Sequence, residues 1–172
     1  GAPGQATSSG NAGVISPWSI TPQAMPGVLP QLPKLLLGRE RPLGIRGGQW
    51  PRMTSWGTRF LMNGNEAQVR RTAQAMFQLC QPSVRLYRQH LAGTGAEDLI
   101  RDSMYVHVFR QAEKAGLNAL DYRIRREFGA TLELVGADRL HQIEPALSPD
   151  FKAAVLTHGQ ARATSPGRLG QV

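Results

Sequence analysis

The sequence predicts an α+β chain, in which a coil-rich first third is followed by amphipathic helices packed on a small mixed or antiparallel sheet. Three observations lead to this prediction. Most of the 12 prolines lie in the first 57 residues, where each one fixes φ and removes a hydrogen-bond donor. A helical apolar period runs through residues 65–91, and strand-like segments alternate with helical ones beyond residue 100.

The chain starts with a run of small and hydroxyl-bearing residues, TSSGNAGVISP at positions 7–17. Glycines in this run can adopt positive φ or let the backbone approach a flat ligand, and the hydroxyl and amide groups can form hydrogen bonds. A flexible linker has a similar composition, but the apolar pair Val14-Ile15 before Pro17 favours an anchored loop. We therefore predict a loop that lies against a polar ligand. The candidate binding residues are Thr7, Ser8, Ser9, Asn11, Ala12 and Gly13.

Residues 18–62 form a proline- and glycine-rich excursion. Disorder is one interpretation, but apolar residues from Trp18 to Trp50 favour docking on a core. Lys34 to Gly38 is predicted to form one or two helical turns, and residues 52–61 a short helix after Pro51.

The next segment has the clearest helical period. Apolar residues recur at steps of three and four from Val69 to Leu91, which is typical of an amphipathic helix. Asn65 is the predicted N-cap, Pro82 is predicted to kink the helix or divide it in two, and residues 93–95 end it.

Three strands alternate with helices in the remainder. Residues 103–109 alternate in polarity and predict a strand with Tyr105 and His107 on one face and Val106 on the other. The elements predicted after it are a helix over 111–128, a strand over 131–135, a short helix from Ala137 capped by Asp138, a strand over 153–158, and a helix with Ser165 as N-cap and Pro166 at its first position.

Four short motifs carry a resemblance to a known family. They are TSSGNAGVISP at 7–17, PGV at 26–28, RPLGIR at 41–46 and LHQIEPAL at 140–147. Their order and spacing resemble D-amino acid dehydrogenases, which are FAD-dependent amine oxidoreductases of the D-amino acid oxidase and glycine oxidase superfamily. The resemblance implies FAD as cofactor, a loop at 7–13 beside the flavin ring, and an α+β substrate domain.

The family's dinucleotide-binding motif, GxGxxG between a strand and a helix, does not occur in the sequence. We therefore expect an internal part of a longer enzyme, without the N-terminal dinucleotide-binding unit and the C-terminal part. In that interpretation residues 1–17 are the flavin-adjacent loop of the FAD-binding domain, 18–62 are the excursion, and 63–172 belong to the substrate domain.

The resemblance also indicates what the protein has to do. The flavin carries the hydride chemistry, so the protein holds the substrate carboxylate, a task that suits arginine. Arg162, expected just after the third strand, and His158, expected at its end, are candidates, with a surface arginine and a strand-capping imidazole as the alternatives. Tyr105 and His107 are candidates for the roof of the substrate cavity, with cross-strand packing as the alternative. No residue is assigned a catalytic role.

Composition limits the other classes of function. The net charge is +8, but the arginines are scattered and only 6% of residues are aromatic, so we expect no nucleic-acid partner. The single cysteine, Cys80, suits a reducing compartment. The four histidines have no metal-ligand spacing, and we expect no metal site.

We therefore expect an enzyme that oxidises D-amino acids to 2-oxo acids and ammonia by hydride transfer to FAD. One alternative is an amine oxidoreductase for another small-molecule substrate such as sarcosine, and another is a basic stand-alone binding module with a Pro/Gly-rich docking arm. The expected location is the cytoplasm, with peripheral contact to the inner membrane if the electron acceptor is a quinone. The sequence leaves the amine, the acceptor and the oligomeric state open.

Overall fold

The computed structural model describes residues 2–37 and 47–172, which divide into two compact units. The first unit contains the residues up to Ile20 and those from Met76 to Val172, and the second contains Thr21–Ala75. The RPLGIR motif at 41–46 and the end of the predicted helical turns at Gly38 lie outside the described residues.

The described residues confirm the α+β prediction. The helices are α1 Val28–Leu37, α2 Trp50–Met62, α3 Glu66–Cys80, α4 Ser83–Leu91, α5 Leu120–Glu127, α6 Ala137–Ile143 and α7 Pro166–Leu169. The strands are β1 Val14–Ile15, β2 Ile100–Phe109, β3 Leu132–Gly136 and β4 Ala153–Ala163.

All strand pairs in the sheet are antiparallel, and β4 is its centre. Strand β2 runs along one side of β4 for its whole length. On the other side, β1 pairs with Ala161 and Arg162 near the end of β4, and β3 pairs with residues 153–157. Strands distant in sequence therefore converge on one long central strand.

The long helical segment is divided as its prolines and caps predict. The Oδ1 of Asn65 accepts a hydrogen bond of 3.0 Å from the backbone N of Gln68, which confirms Asn65 as the cap of α3. Pro82 separates α3 from α4, because its ring crowds the preceding turn and its missing N–H interrupts the helical hydrogen bonds.

The predicted helix over 111–128 is wrong in its first half. A 3-10 turn forms at Ala112–Lys114, and α5 begins only at Leu120. Gly116 lies between them, and glycine pays a large entropic cost in a helix interior. The predicted cap of α6 is also wrong, because Gly136 is the N-cap and no side chain caps that helix.

Strand β4 continues past its predicted end at His158 to Ala163. Gly159 adopts φ +74°, and the pairing with β2 shifts there by one residue, which is a β-bulge. The indole Nε1 of Trp18 donates a hydrogen bond of 2.8 Å to the carbonyl of His158 at the bulge. Strand β4 is therefore continuous through the bulge. The hydrogen bond from Trp18 attaches the turn that follows β1 to this point of the strand.

The two faces of the sheet differ in how they are covered. One face is packed by a cluster formed by Val135, Leu140, Ala154 and Leu156, in which Leu140 comes from α6. Further along that face, Ile15, Ala161 and Ala163 pack with Leu91 of α4. The opposite face, which we call the open face, carries Val14 and Tyr105 and leaves them 57% and 54% exposed.

Candidate functional site

A cleft of about 340 Å³ lies on the open face of the sheet. Residues of β1, the turn after it, β2, α5 and β4 line it. Tyr105 stands opposite Thr157 and His107 opposite Val155 in the β2–β4 register, so these side chains share one face. The predicted common face of Tyr105 and His107 is therefore confirmed, and both residues line the cleft.

His107 forms a hydrogen bond within the cleft. Its ring Nδ1 contacts the hydroxyl of Tyr122, which is presented by α5. The side chain of Tyr122 is nearly buried, with 5% of its surface exposed. Burial raises the pKa of Tyr122 to about 12, with a smaller contribution from the neighbouring Asp121 carboxylate. The phenol is thus neutral at physiological pH.

Arg125 lines the cleft and connects α5 to the turn after β1. Its Nη1 lies 2.6 Å from Oδ2 of Asp121, one helical turn earlier, and its Nε donates to the carbonyl of Trp18 at 3.1 Å. The guanidinium also lies 5.9 Å from the ring centroid of Tyr122. The hydrogen bond to Trp18 ties α5 to the turn after β1. The carboxylate of Asp121 balances the charge of the guanidinium in the cleft.

The loop of candidate binding residues begins with one 3-10 turn, Thr7–Gly10. Within the loop, Ser9 Oγ donates to the carbonyl of Ala6 at 2.9 Å, and Asn11 Oδ1 accepts from the backbone N of Gly13 at 2.7 Å. These contacts hold the backbone in place. The NH₂ group of Asn11 makes no hydrogen bond within the described part of the chain, and residues 7–12 are exposed.

The two glycines of the loop have different roles. Gly13 adopts φ +73°, and a Cβ there would lie 2.4 Å from the carbonyl oxygen of Ala163, so the contact with β4 requires glycine. Gly10 has no such constraint, because a Cβ there would meet no described atom within 4 Å beyond its own chain neighbours. Ser8 and Asn11 line a second cleft of about 270 Å³, which shares Val14 with the cleft on the open face.

The structure separates the other two candidates. Arg162 lies within β4, opposite Val14 and therefore on the open face with Tyr105 and His107. His158 also lies within β4, but on the packed face, where its Nε2 is 3.1 Å from Oε2 of Glu133. Both were expected at or beyond the end of a shorter strand, and the bulge at Gly159 accounts for the difference.

Sequence reasoning missed the residues that α5 contributes. A helix was predicted over 111–128, but Tyr122 received no role. The spacing of Asp121 and Arg125, four residues apart, was the available signal, since it is the spacing of a helical ion pair.

A wider groove of about 570 Å³ lies between α4 and the bulge of β4. Its arginines are engaged locally: Arg88 pairs with Asp102 at 2.7 Å, and Arg85 donates to Gln89 at 3.0 Å. We therefore place the candidate site at the smaller cleft, where polar groups from four elements converge.

Residues 2–37 and 47–172 contain no candidate metal centre and no candidate membrane span. No group of three histidine, cysteine or acidic side chains in these residues has an arrangement that can hold a metal ion. None of the helices in these ranges is both long and apolar enough to span a bilayer.

Comparison with known proteins identifies the family. Residues 1–171 match the family described as FAD dependent oxidoreductase. The chain is 33% identical to a D-amino-acid oxidase of Bradyrhizobium diazoefficiens over 170 residues, which cover 97% of this chain and 40% of the relative. It is 30% identical to D-amino acid dehydrogenase 2 of Mesorhizobium japonicum over 147 residues, which cover 86% of this chain and 35% of the relative.

No solved structure gives a significant match. The chain spans 40% of the length of the first of these curated relatives and 35% of the second. The match to the family model nevertheless extends over almost the whole chain. The chain therefore belongs to the family of FAD dependent oxidoreductases.

Proposed function

We propose that this protein oxidises D-amino acids to 2-oxo acids and ammonia, with FAD as the hydride acceptor. The observation that carries the proposal is the donor-lined cleft on the open face, in a chain that is 33% identical to a protein named D-amino-acid oxidase. The cleft joins aromatic side chains to hydroxyl and imidazole groups, a combination that suits a small amino acid with a carboxylate and a side chain.

The loop at 7–13 fits the cofactor. The open space beside Gly10 lets a flat ring lie against the backbone, and the outward NH₂ of Asn11 and hydroxyl of Ser8 can donate to the ring's polar edge. We propose that this loop contacts the flavin through Thr7, Ser8, Ser9, Asn11, Ala12 and Gly13. When bound, FAD supplies the hydride acceptor for the substrate Cα–H.

The side chains of the open face would bind the substrate. We propose that Arg162 attracts the carboxylate, since guanidinium and carboxylate form charge-assisted hydrogen bonds, and that Tyr105 and His107 orient the substrate in the cleft. His158 faces Glu133 on the packed face, so the proposal assigns it no direct contact with substrate.

Flavin spectroscopy of the full-length gene product tests the proposal. Under anaerobic conditions, D-alanine should bleach the flavin absorbance, whereas L-alanine should leave it unchanged. Bleaching by sarcosine alone would instead support an oxidoreductase for secondary amines. A flavin reduced by neither D-amino acids nor sarcosine would overturn the proposal.

The same preparation identifies the electron acceptor. Reoxidation by dioxygen indicates an oxidase, and reoxidation by a soluble quinone indicates a dehydrogenase. Only the second result supports the predicted peripheral contact with the inner membrane, which sedimentation of the protein with quinone-containing vesicles would then test.

A further inference from the structure

The contact between His107 and Tyr122 joins β2 to α5. The imidazole projects from β2 and the phenol from α5, and Nδ1 of His107 lies within hydrogen-bond distance of the Tyr122 hydroxyl. A neutral imidazole has one nitrogen that donates and one that accepts, and the partner of one nitrogen decides which carries the proton. The partner of Nδ1 therefore decides which ring nitrogen of a neutral His107 carries the proton.

Burial determines the direction of this hydrogen bond. The Tyr122 hydroxyl has Nδ1 of His107 as its one hydrogen-bond partner within the described residues, and the phenol is nearly buried, so a proton pointed away from Nδ1 would lose its acceptor at a cost in free energy. A hydroxyl that donates to Nδ1 places the proton of a neutral imidazole on Nε2.

The surroundings of His107 leave Nε2 available. The only hydrogen bond of its ring within the described residues is the one to Tyr122, and the side chain is exposed to the cleft. The ring of Phe109 lies 4.5 Å away between centroids and restrains the imidazole from one side. Arg125 is engaged by Asp121 and Trp18.

We propose that Tyr122 is a positioning residue that selects the Nε2–H tautomer of His107, so that His107 donates a hydrogen bond to a carboxylate oxygen of a ligand in the cleft. The identity of this ligand as an amino acid rests on the proposed function, whereas the tautomer does not. Removal of the phenol hydroxyl would leave Nδ1 without its donor and allow both tautomers.

The first arm of the test measures the tautomer directly. Full-length, flavin-loaded protein labelled with ¹⁵N-histidine is studied by long-range ¹H–¹⁵N NMR near neutral pH, and His107→Gln assigns the signals. The wild type should show an unprotonated Nδ1 and a protonated Nε2. Tyr122→Phe should move both ring-nitrogen shifts toward the average of the two tautomers. Tyr105→Phe, which removes a hydroxyl from the same cleft, should leave them unchanged.

The second arm measures binding of propionate, which has the carboxylate of alanine but no amine to oxidise. Tyr122→Phe should weaken propionate binding about two- to tenfold, the loss that corresponds to one hydrogen bond, while the thermal transition and flavin content stay close to those of the wild type. In the wild type, propionate should shift the Nε2 signal of His107 more than the Nδ1 signal.

The results separate this inference from the proposed function. A wild-type His107 with mixed tautomers, or a tautomer unchanged in Tyr122→Phe, overturns the positioning role even if D-amino acids are oxidised. Propionate that binds without shifting Nε2 overturns the carboxylate contact. A fixed tautomer in a protein that oxidises no D-amino acid would support the pair and overturn the proposed function alone.

Discussion

Tyr122 shows at the residue scale how one buried hydroxyl couples the site to pH. Its pKa is raised from 10.0 to about 12 in the folded protein, first by burial, so the unfolded chain loses the phenol proton at a lower pH than the folded chain. The contribution of this residue to stability is therefore fully present below about pH 10 and is lost as the pH rises toward 12.

We expect the denaturation midpoint of the wild type to fall more steeply between pH 10 and 12 than that of Tyr122→Phe, which has no titrating group at this position. Urea titrations of both proteins across this range measure the difference. Curves that run parallel would show that the phenol does not titrate differently in the two states.

Asn11 is the residue on which the proposed flavin contact depends most. Its Oδ1 holds the backbone N of Gly13, and its NH₂ points outward, so Asn11→Leu removes both groups and adds branched bulk. We expect FAD affinity to fall by roughly tenfold or more in the full-length protein, since leaving buried partners unpaired costs roughly 1–3 kcal/mol. Fluorescence titration with FAD measures it.

Asn118→Leu is the matched control, because Asn118 is exposed and lies before α5, away from the loop. Its FAD affinity should equal that of the wild type. If the two leucine variants bind FAD equally well, the loop does not contact the flavin.

At the scale of elements, the contact between the N-terminal loop and β4 positions the candidate flavin loop. A Cβ at Gly13 would overlap the carbonyl of Ala163 in a backbone conformation with φ +73°. We expect Gly13→Ala to destabilise the protein by roughly 2 kcal/mol or more and to lower the apparent melting temperature by several degrees.

Gly10→Ala separates packing from cofactor binding, since its Cβ would meet no described atom within 4 Å. This variant should melt at the wild-type temperature but bind FAD more weakly. Thermal melts and FAD titrations of the two alanine variants make the comparison. Equal melting temperatures for both would mean that the loop does not pack on β4 as described.

The ends of elements were predicted well only where a local group determines them. Asn65 and Pro82 act through their own side chains, and they define the start of α3 and the break before α4 as expected. The end of β4 has no such local group. It depends on the bulge at Gly159, where Trp18 donates a hydrogen bond to the carbonyl of His158.

At the scale of the whole molecule, the positive charge is dispersed. Several arginines form ion pairs with neighbouring carboxylates, including Arg70 with Glu66, Arg88 with Asp102, and Arg110 with Asp150. Exposed pairs of this kind contribute little stability, but they reduce the positive potential that a nucleic acid would encounter.

We therefore expect the full-length protein to bind nucleic acid weakly and to lose that binding at moderate salt. Gel-shift titrations with duplex DNA and single-stranded RNA at two salt concentrations test this expectation. Tight complexes that persist at moderate salt would support the alternative of a basic binding module.

The sequence by itself determined the class of the fold, the order of the helices and strands from α2 onward, and the family. Hydrophobic period, proline positions and short motifs are local properties, so they can be read along the chain without knowledge of distant contacts. The common face of Tyr105 and His107 belongs to this group, because alternation along one strand defines it.

Only the tertiary structure decided which residues share the cleft. Tyr122 meets His107 because α5 packs beside β2, and Arg162 lies on their face of the sheet because the bulge at Gly159 shifts the register of the residues after it. A shift of one residue reverses the face of every following side chain. That register depends on contacts such as the bond from Trp18 to His158, 140 residues apart, which no local pattern contains.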